Sequence, residues 1–140
     1  MMETLAKTKT EKQIINPWQW QNQLGFVQAV QVTNQQQILY CAGQAAMDAE
    51  GLPMAEGDMR AQIGYAFDNL AEVLAQAGFG LSDVVRLNYY TTNVDEFFQH
   101  YDVATSRLDA AAAKVSATLL GVTRLAFPQL LVEIEATAVK

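Results

Sequence analysis

Apolar positions along the chain follow two periods, and the changes of period divide it into elements. Phe26 to Thr33 and Ile38 to Ala42 are rich in β-branched and aromatic residues and are separated by Asn34 and three glutamines, which predicts two strands joined as a hairpin. Gly43, Asp48 to Gly51 and Pro53 supply the turn chemistry that ends the second strand. Beyond Asp58, an N-cap residue, Ile63, Phe67, Leu70, Leu74 and Ala77 recur at spacings of three and four, the stripe of an amphipathic helix. Gly78 then stands where a helix C-terminus favours a left-handed residue. Ser82 to Thr92 alternates with period two, placing Val85, Leu87 and Tyr89 on one side and Val84, Arg86, Asn88 and Tyr90 on the other. Asn93 or Asp95 caps a second helix with the stripe Phe97, Tyr101, Ala104 and Leu108, and Thr118 to Arg124 and Leu130 to Val139 predict two closing strands.

The order β-β-α-β-α-β-β describes an α+β fold, a mixed sheet with two helices on one face. Residues 16–140 make its single domain. Residues 1–15, where Lys and Glu are scattered among Thr and Ala without a period, read as a flexible leader. The helix-free face needs a cover. Tyr90, Leu119, Leu131 and Val139 beside Glu133 and Glu135 suit a face packed against another subunit, which predicts a homo-oligomer with small-molecule clefts between chains.

Composition narrows the partners. Of 140 residues, 51% are hydrophobic and 17% charged, enough apolar material for a full core and too much for a disordered tail. Nine Lys and Arg against 15 Asp and Glu leave a net charge of −6, a field that repels nucleic-acid phosphates and anionic lipid, so neither nucleic acid nor a membrane is an expected partner. Apolar runs are broken by charge well short of about 18 residues and residues 1–10 lack an apolar signal segment, so the expected location is cytoplasmic. Cys41 is the only cysteine, which excludes an internal disulfide and fits a reducing compartment.

Few residues carry chemistry. His100, the only histidine, lies within the second helix with no nucleophile or carboxylate partner at motif spacing and reads as structural. Cys41, on a strand among apolar neighbours, reads as a buried thiol with a raised pKa. With one His and one Cys no metal-ligand spacing exists, and the glycines match neither a dinucleotide nor a phosphate loop. Glu133 and Glu135 stand apart because they share one face of an otherwise apolar strand. A carboxylate partly withdrawn from water there either finds a cation or handles protons near neutrality, unless the pair merely edges the sheet or meets Arg86 or Arg124. Trp18 and Trp20, next to Pro17, suit either packing in a core or interface or a lid over an apolar cleft.

Cys41-Ala42-Gly43-Gln44, Asp68-Asn69-Leu70 through Ala77-Gly78, Asp83-Val84-Val85-Arg86 and Leu131-Val132-Glu133-Ile134-Glu135-Ala136, in this order, resemble the Rid family of reactive-intermediate (enamine/imine) deaminases, also called the translation initiation inhibitor or L-PSP endoribonuclease family. The resemblance spans Gly25 to the C-terminus. It implies a chorismate-mutase-like fold, a homotrimer with ligand clefts between subunits, and cofactor-free hydrolysis of the imine of 2-aminoacrylate and similar compounds to ammonia and a 2-oxo acid. The family arginine that holds the substrate carboxylate, in Pro-Ala-Arg-Ser/Thr, falls on Ala117 of Val115-Ser116-Ala117-Thr118. The family tyrosine near the N-terminus corresponds to Phe26, the serine of Ser-Gly-Gln to Ala42, and the residue two beyond the arginine to Leu119. Gly43 persists, and Glu133 keeps the family glutamate.

All four departures replace polar or charged groups by apolar ones. The implied site therefore has Glu133 as its catalytic residue and a substrate surface of Phe26, Ala42, Gly43, Ala117 and Leu119, with Arg86, Asn88 and Tyr90 as substitute polar contacts. Deamination of small amino-acid imines is not expected without the arginine. The readings that follow are hydrolysis of a larger or less charged imine, enamine or carbonyl compound, or a trimer that binds a metabolite without turnover. Ribonuclease or translation-inhibitor action ranks below both, since no basic stripe interleaves with aromatics.

Overall fold

In the computed structural model, which describes residues 9–140, helix α1 (Met59–Gln76) occupies the segment with the clearest three-and-four spacing. Asp58 caps it, accepting from the Ala61 N–H at 3.0 Å, and Gly78 follows its end at φ +80°, where a β-carbon would be strained. Ile63, Phe67, Leu70 and Leu74 are fully buried against Leu87 and Tyr89 of β5 (Val84–Thr91) and Ile134 and Ala136 of β7 (Val132–Val139). β7 runs antiparallel between β5 and β3 (Ile38–Tyr40), and β5 pairs in parallel with β6 (Ser116–Gly121), giving the order β3-β7-β5-β6 with short β4 (Gln44–Ala45) also on β7. The parallel step needs a crossover, which α2 (Val94–Gln99) and α3 (Asp102–Ala110) provide on the α1 side. Arg60 grips both oxygens of Asp102, at 2.9 and 2.7 Å, and Arg107 pairs with Asp68, so two ion pairs tie α1 to α3.

Tertiary pairing overrides the sequence reading in four places. First, the expected hairpin does not form. β2 (Ala29–Thr33) pairs with β1 (Glu11–Ile15), and β3 crosses to the end of β7, where the amides of Gln36 and Gln37 donate to the Lys140 carbonyl at 2.9 and 2.8 Å. Leu39 joins the core beside Ala138 by that exchange. Part of the expected leader is therefore a strand, unreadable because all five β1 residues are exposed and show no alternation; residues 1–8 lie outside the described residues. A parallel bridge from Val27 to Ser116 hangs the β1–β2 pair on the β6 edge.

Second, the predicted second helix breaks at His100, whose φ −122° and ψ 14° end α2 before α3 begins, although Phe97, Ala104 and Leu108 keep one buried stripe. Third, the register shifts between Val84 and Arg86, so Val84 joins Leu87 on the buried face. Fourth, Leu119 lies opposite Tyr89 and packs on the core, so it is on the helix side and not on the open face expected for it. The two closing strands also differ in extent: β6 begins two residues earlier than expected and ends at Gly121, and Leu130, outside β7, is buried with Ala45 and Ala46 in a small second cluster.

Candidate functional site

The residues singled out by sequence fall into three places. The first is a cavity of about 130 Å³ beside the α2–α3 corner, which brings together Phe26, Ala117 and Leu119. Ala117 and Leu119 alternate with exposed Thr118 on β6, and Phe26 follows a 3-10 turn (Trp20–Leu24) that precedes β2. The opposite wall is aromatic: Tyr89, Phe97, Phe98 and Tyr101. Phe97 and Tyr101 appeared in the sequence only as a helical core stripe, a signal that does not separate a packed core from a cavity wall. Tyr89 and Tyr101 rings meet edge to face at 5.9 Å. Tyr101 donates to the Leu24 carbonyl at 2.6 Å, whereas the Tyr89 hydroxyl is sealed from water and faces the Tyr101 hydroxyl. Burial, reinforced by Tyr101, pushes the Tyr89 phenol well above its ordinary range, so it stays protonated.

The second place is the shelf formed by Gly43 and Glu133, with exposed Ala42 adjoining in sequence. An ideal β-carbon on Gly43 would lie 2.0 Å from Glu133 Oε1, so the carboxylate rests on bare glycine backbone. Asn69, from α1, donates to the carbonyls of Ala45 and Met47 at 2.8 and 3.0 Å and fixes the strand behind this shelf. Glu133 forms no hydrogen bond or ion pair among the described residues, and neither Arg86 nor Arg124 reaches it.

Arg86, Asn88 and Tyr90 occupy a third place, the helix-free face of β5. Arg86 donates to Thr118 Oγ1 at 2.8 Å, and Asn88 and Tyr90 both donate to Glu135 Oε1 at 2.9 Å. These polar groups thus engage Glu135 and Thr118. The Asn88 and Tyr90 donors hold the Glu135 carboxyl below the usual carboxylate range, and the same bond raises the Tyr90 phenol. A lowered folded-state pKa means the network's stabilisation is complete above the unfolded carboxyl's pKa and is lost as pH falls through the folded one. Tyr90→Phe, which removes one donor, is expected to move the Glu135 titration upward toward the ordinary value, as followed by side-chain carboxyl NMR.

Trp18 and Trp20 are not core residues. They are 56% and 62% exposed, stack on each other at 6.5 Å, and Trp20 meets Phe26 edge to face at 6.2 Å, at the rim of the aromatic cavity. Cys41 is buried and its thiol is raised by that burial, as its neighbours predicted. Among the described residues no group of His, Cys, Asp and Glu is placed to hold a metal ion, and no helix is long and apolar enough to cross a membrane.

Comparison with known proteins gives this arrangement a context. The chain matches the family described as Endoribonuclease L-PSP over residues 21–140. It is 29% identical over 115 residues to a RutC family protein of Pyrococcus abyssi, covering 82% of this chain and 86% of that one. It is 35% identical over 72 residues to a 2-iminobutanoate/2-iminopropanoate deaminase of Dermatophagoides farinae, covering 51% of this chain and 54% of the relative. The crystal structure of a Rid-family protein of unknown function from Yersinia pestis superposes with a TM-score of 0.82 at 35% identity, over 92% of this chain and 98% of that one. A chorismate-mutase-like mixed sheet with its helices on one face and a match over most of its length lead to one conclusion: the chain belongs to the Rid, or endoribonuclease L-PSP, family.

Proposed function

We propose that this chain hydrolyses an imine or enamine in a cleft that two subunits of a homotrimer build together, one giving the Phe26–Ala117 cavity and the next the Gly43–Glu133 shelf. The observation that carries this reading is the contrast between the two glutamates: Glu135 is held by two donors, while Glu133 lies unpartnered on glycine. Ala117 and Leu119 lie on the helix side of β6, whereas Glu133 lies on the other face of the sheet two strands away, so joining them requires a second chain. On that open face Ile38, Tyr40 and Leu120 are 45%, 77% and 51% exposed, apolar surface of the kind a subunit contact covers. The deaminase name of the Dermatophagoides relative supports the reaction type.

In the reaction, water adds to the C=N carbon while Glu133 accepts its proton and passes it to nitrogen. The hydroxyl proton follows by the same carboxylate as the C–N bond breaks, so ammonia leaves and a carbonyl remains. An enamine first takes a proton on carbon and gives one up from nitrogen to become the imine.

The test is ammonia release from a panel of enzymatically generated imines, with sedimentation to count subunits. Acceleration by the wild type over Glu133→Gln supports the reading; equal rates across the panel, or a monomer, remove it. A second reading, a trimer that binds a metabolite without turnover, is favoured by the alanine at position 117, and a ligand that raises the melting temperature but is recovered unchanged supports it. A net charge of −6 weighs against the ribonuclease suggested by the family's name.

A further inference from the structure

The aromatic cavity lies within one chain, and Phe26, Tyr89, Phe97, Tyr101, Ala117 and Leu119 are among the residues that line it. None of them carries a charge near neutrality, and the Tyr101 hydroxyl is already spent on the Leu24 carbonyl. An anion entering this space sheds its water and finds no charged residue in the lining, the Arg86 guanidinium being engaged by Thr118 Oγ1 at 2.8 Å, a costly form of burial. A compact apolar group faces the opposite balance. At about 130 Å³ the volume is close to that of the roughly 150 Å³ apolar cavities that stay dry and admit a benzene ring. The Tyr89 hydroxyl is buried in the wall and faces the Tyr101 hydroxyl, so the lining offers an entering group no free polar partner there.

We infer that this cavity is the specificity pocket of the chain, taking a single uncharged ring and rejecting a carboxylate at the same position. Its role in turnover rests on the deaminase reading above, whereas its binding preference stands on the cavity alone. The substrate class that follows is an imine or enamine with a ring substituent and no carboxylate directed into this pocket. The stacked pair of Trp18 and Trp20, whose inner member touches Phe26, extends the same flat apolar surface to the rim.

Methyl NMR of the full chain tests this with phenol and pyruvate as probes, reading Ala117 and Leu119 inside the cavity against Ile38 and Leu120 on the open face. The expected result is that phenol shifts the two cavity methyls and binds at least tenfold more tightly than pyruvate. Ala117→Arg, which fills the cavity and supplies a cation, is expected to reverse the order. Ala117→Leu, an apolar filler of similar helix-side character, is expected to abolish phenol binding and so guards against misfolding of the arginine variant. Pyruvate binding as tightly as phenol, or phenol shifts confined to Ile38 and Leu120, overturns the inference. The two readings also fail separately. Ammonia release that depends on Glu133 without phenol binding leaves the deaminase standing and removes this pocket. Phenol binding with no effect of Glu133→Gln keeps the pocket and removes the deaminase.

Discussion

Gly43→Ala is expected to reduce ammonia release about as far as Glu133→Gln does, roughly 100-fold, while the protein stays folded. The new β-carbon needs the space 2.0 Å from Glu133 Oε1, and it would also lie 2.7 Å from the carboxyl carbon. One of the two must yield, and the carboxylate is the softer, since it has no hydrogen bond to hold it. Displacing a proton-handling group by about 1 Å costs on the order of 100-fold when geometry carries the rate. Gly43 does not require a left-handed backbone, so alanine brings crowding without backbone strain. Steady-state kcat/KM for the variant, set beside its melting temperature, checks the argument. Full activity in Gly43→Ala means that the position of Glu133 does not matter to the reaction, and lost activity with a collapsed melting temperature assigns Gly43 to folding instead.

The second large effect concerns stability. Gln62 is fully buried inside α1 yet wholly satisfied: its amide donates to the carbonyls of Ala55 and Gln129 at 3.2 and 2.9 Å, and its Oε1 accepts from the Leu131 N–H at 2.8 Å. Two separate segments are pinned by one side chain, the loop that enters α1 and, at Gln129 and Leu131, the connection between β6 and β7. Gln62→Leu keeps helix propensity and bulk but orphans the Gln129 carbonyl and the Leu131 N–H, each worth roughly 1 kcal/mol or more when left unpaired in the interior, while the Ala55 carbonyl keeps the Asp58 N–H at 3.0 Å. A loss of about 2–4 kcal/mol follows, which for a chain of this length lowers the melting temperature by roughly 8–16 °C. Urea and thermal unfolding at fixed protein concentration measure it. A loss under about 1 kcal/mol shows that the connection before β7 re-forms its hydrogen bonds without Gln62.

Both effects involve contacts that no local pattern announces. Gln62 sits on the apolar face of α1 among Ile63, Ala66 and Phe67, and sequence periodicity counts it as an imperfection in the stripe rather than as a clamp. Gly43 is legible as turn chemistry and as part of a family motif, but its closeness to Glu133 depends on β4 pairing with β7 across almost 90 residues of chain. β1 escaped notice for a related reason: with all five residues exposed it has no buried face to impose alternation. The β2–β3 hairpin misled because adjacency in sequence usually implies pairing, while Leu39 gains more by joining the core beside Ala138.

What the sequence determined by itself was whatever is encoded within about one helix or strand length. The stripe of α1 and its caps, the alternation of β5 and β7 and the lone buried cysteine were all readable from spacing and residue type, and the family from its motifs. Only the tertiary structure decided which strand met which, and with it the side of the sheet each candidate faces. Placing Leu119 and Ala117 on the helix side and Glu133 on the other requires the register of three strands at once. Alternation tells a strand that it has two faces, but which one is inside is fixed by the total apolar area that α1, α2 and α3 can cover, a property of the assembled layers and of no segment alone.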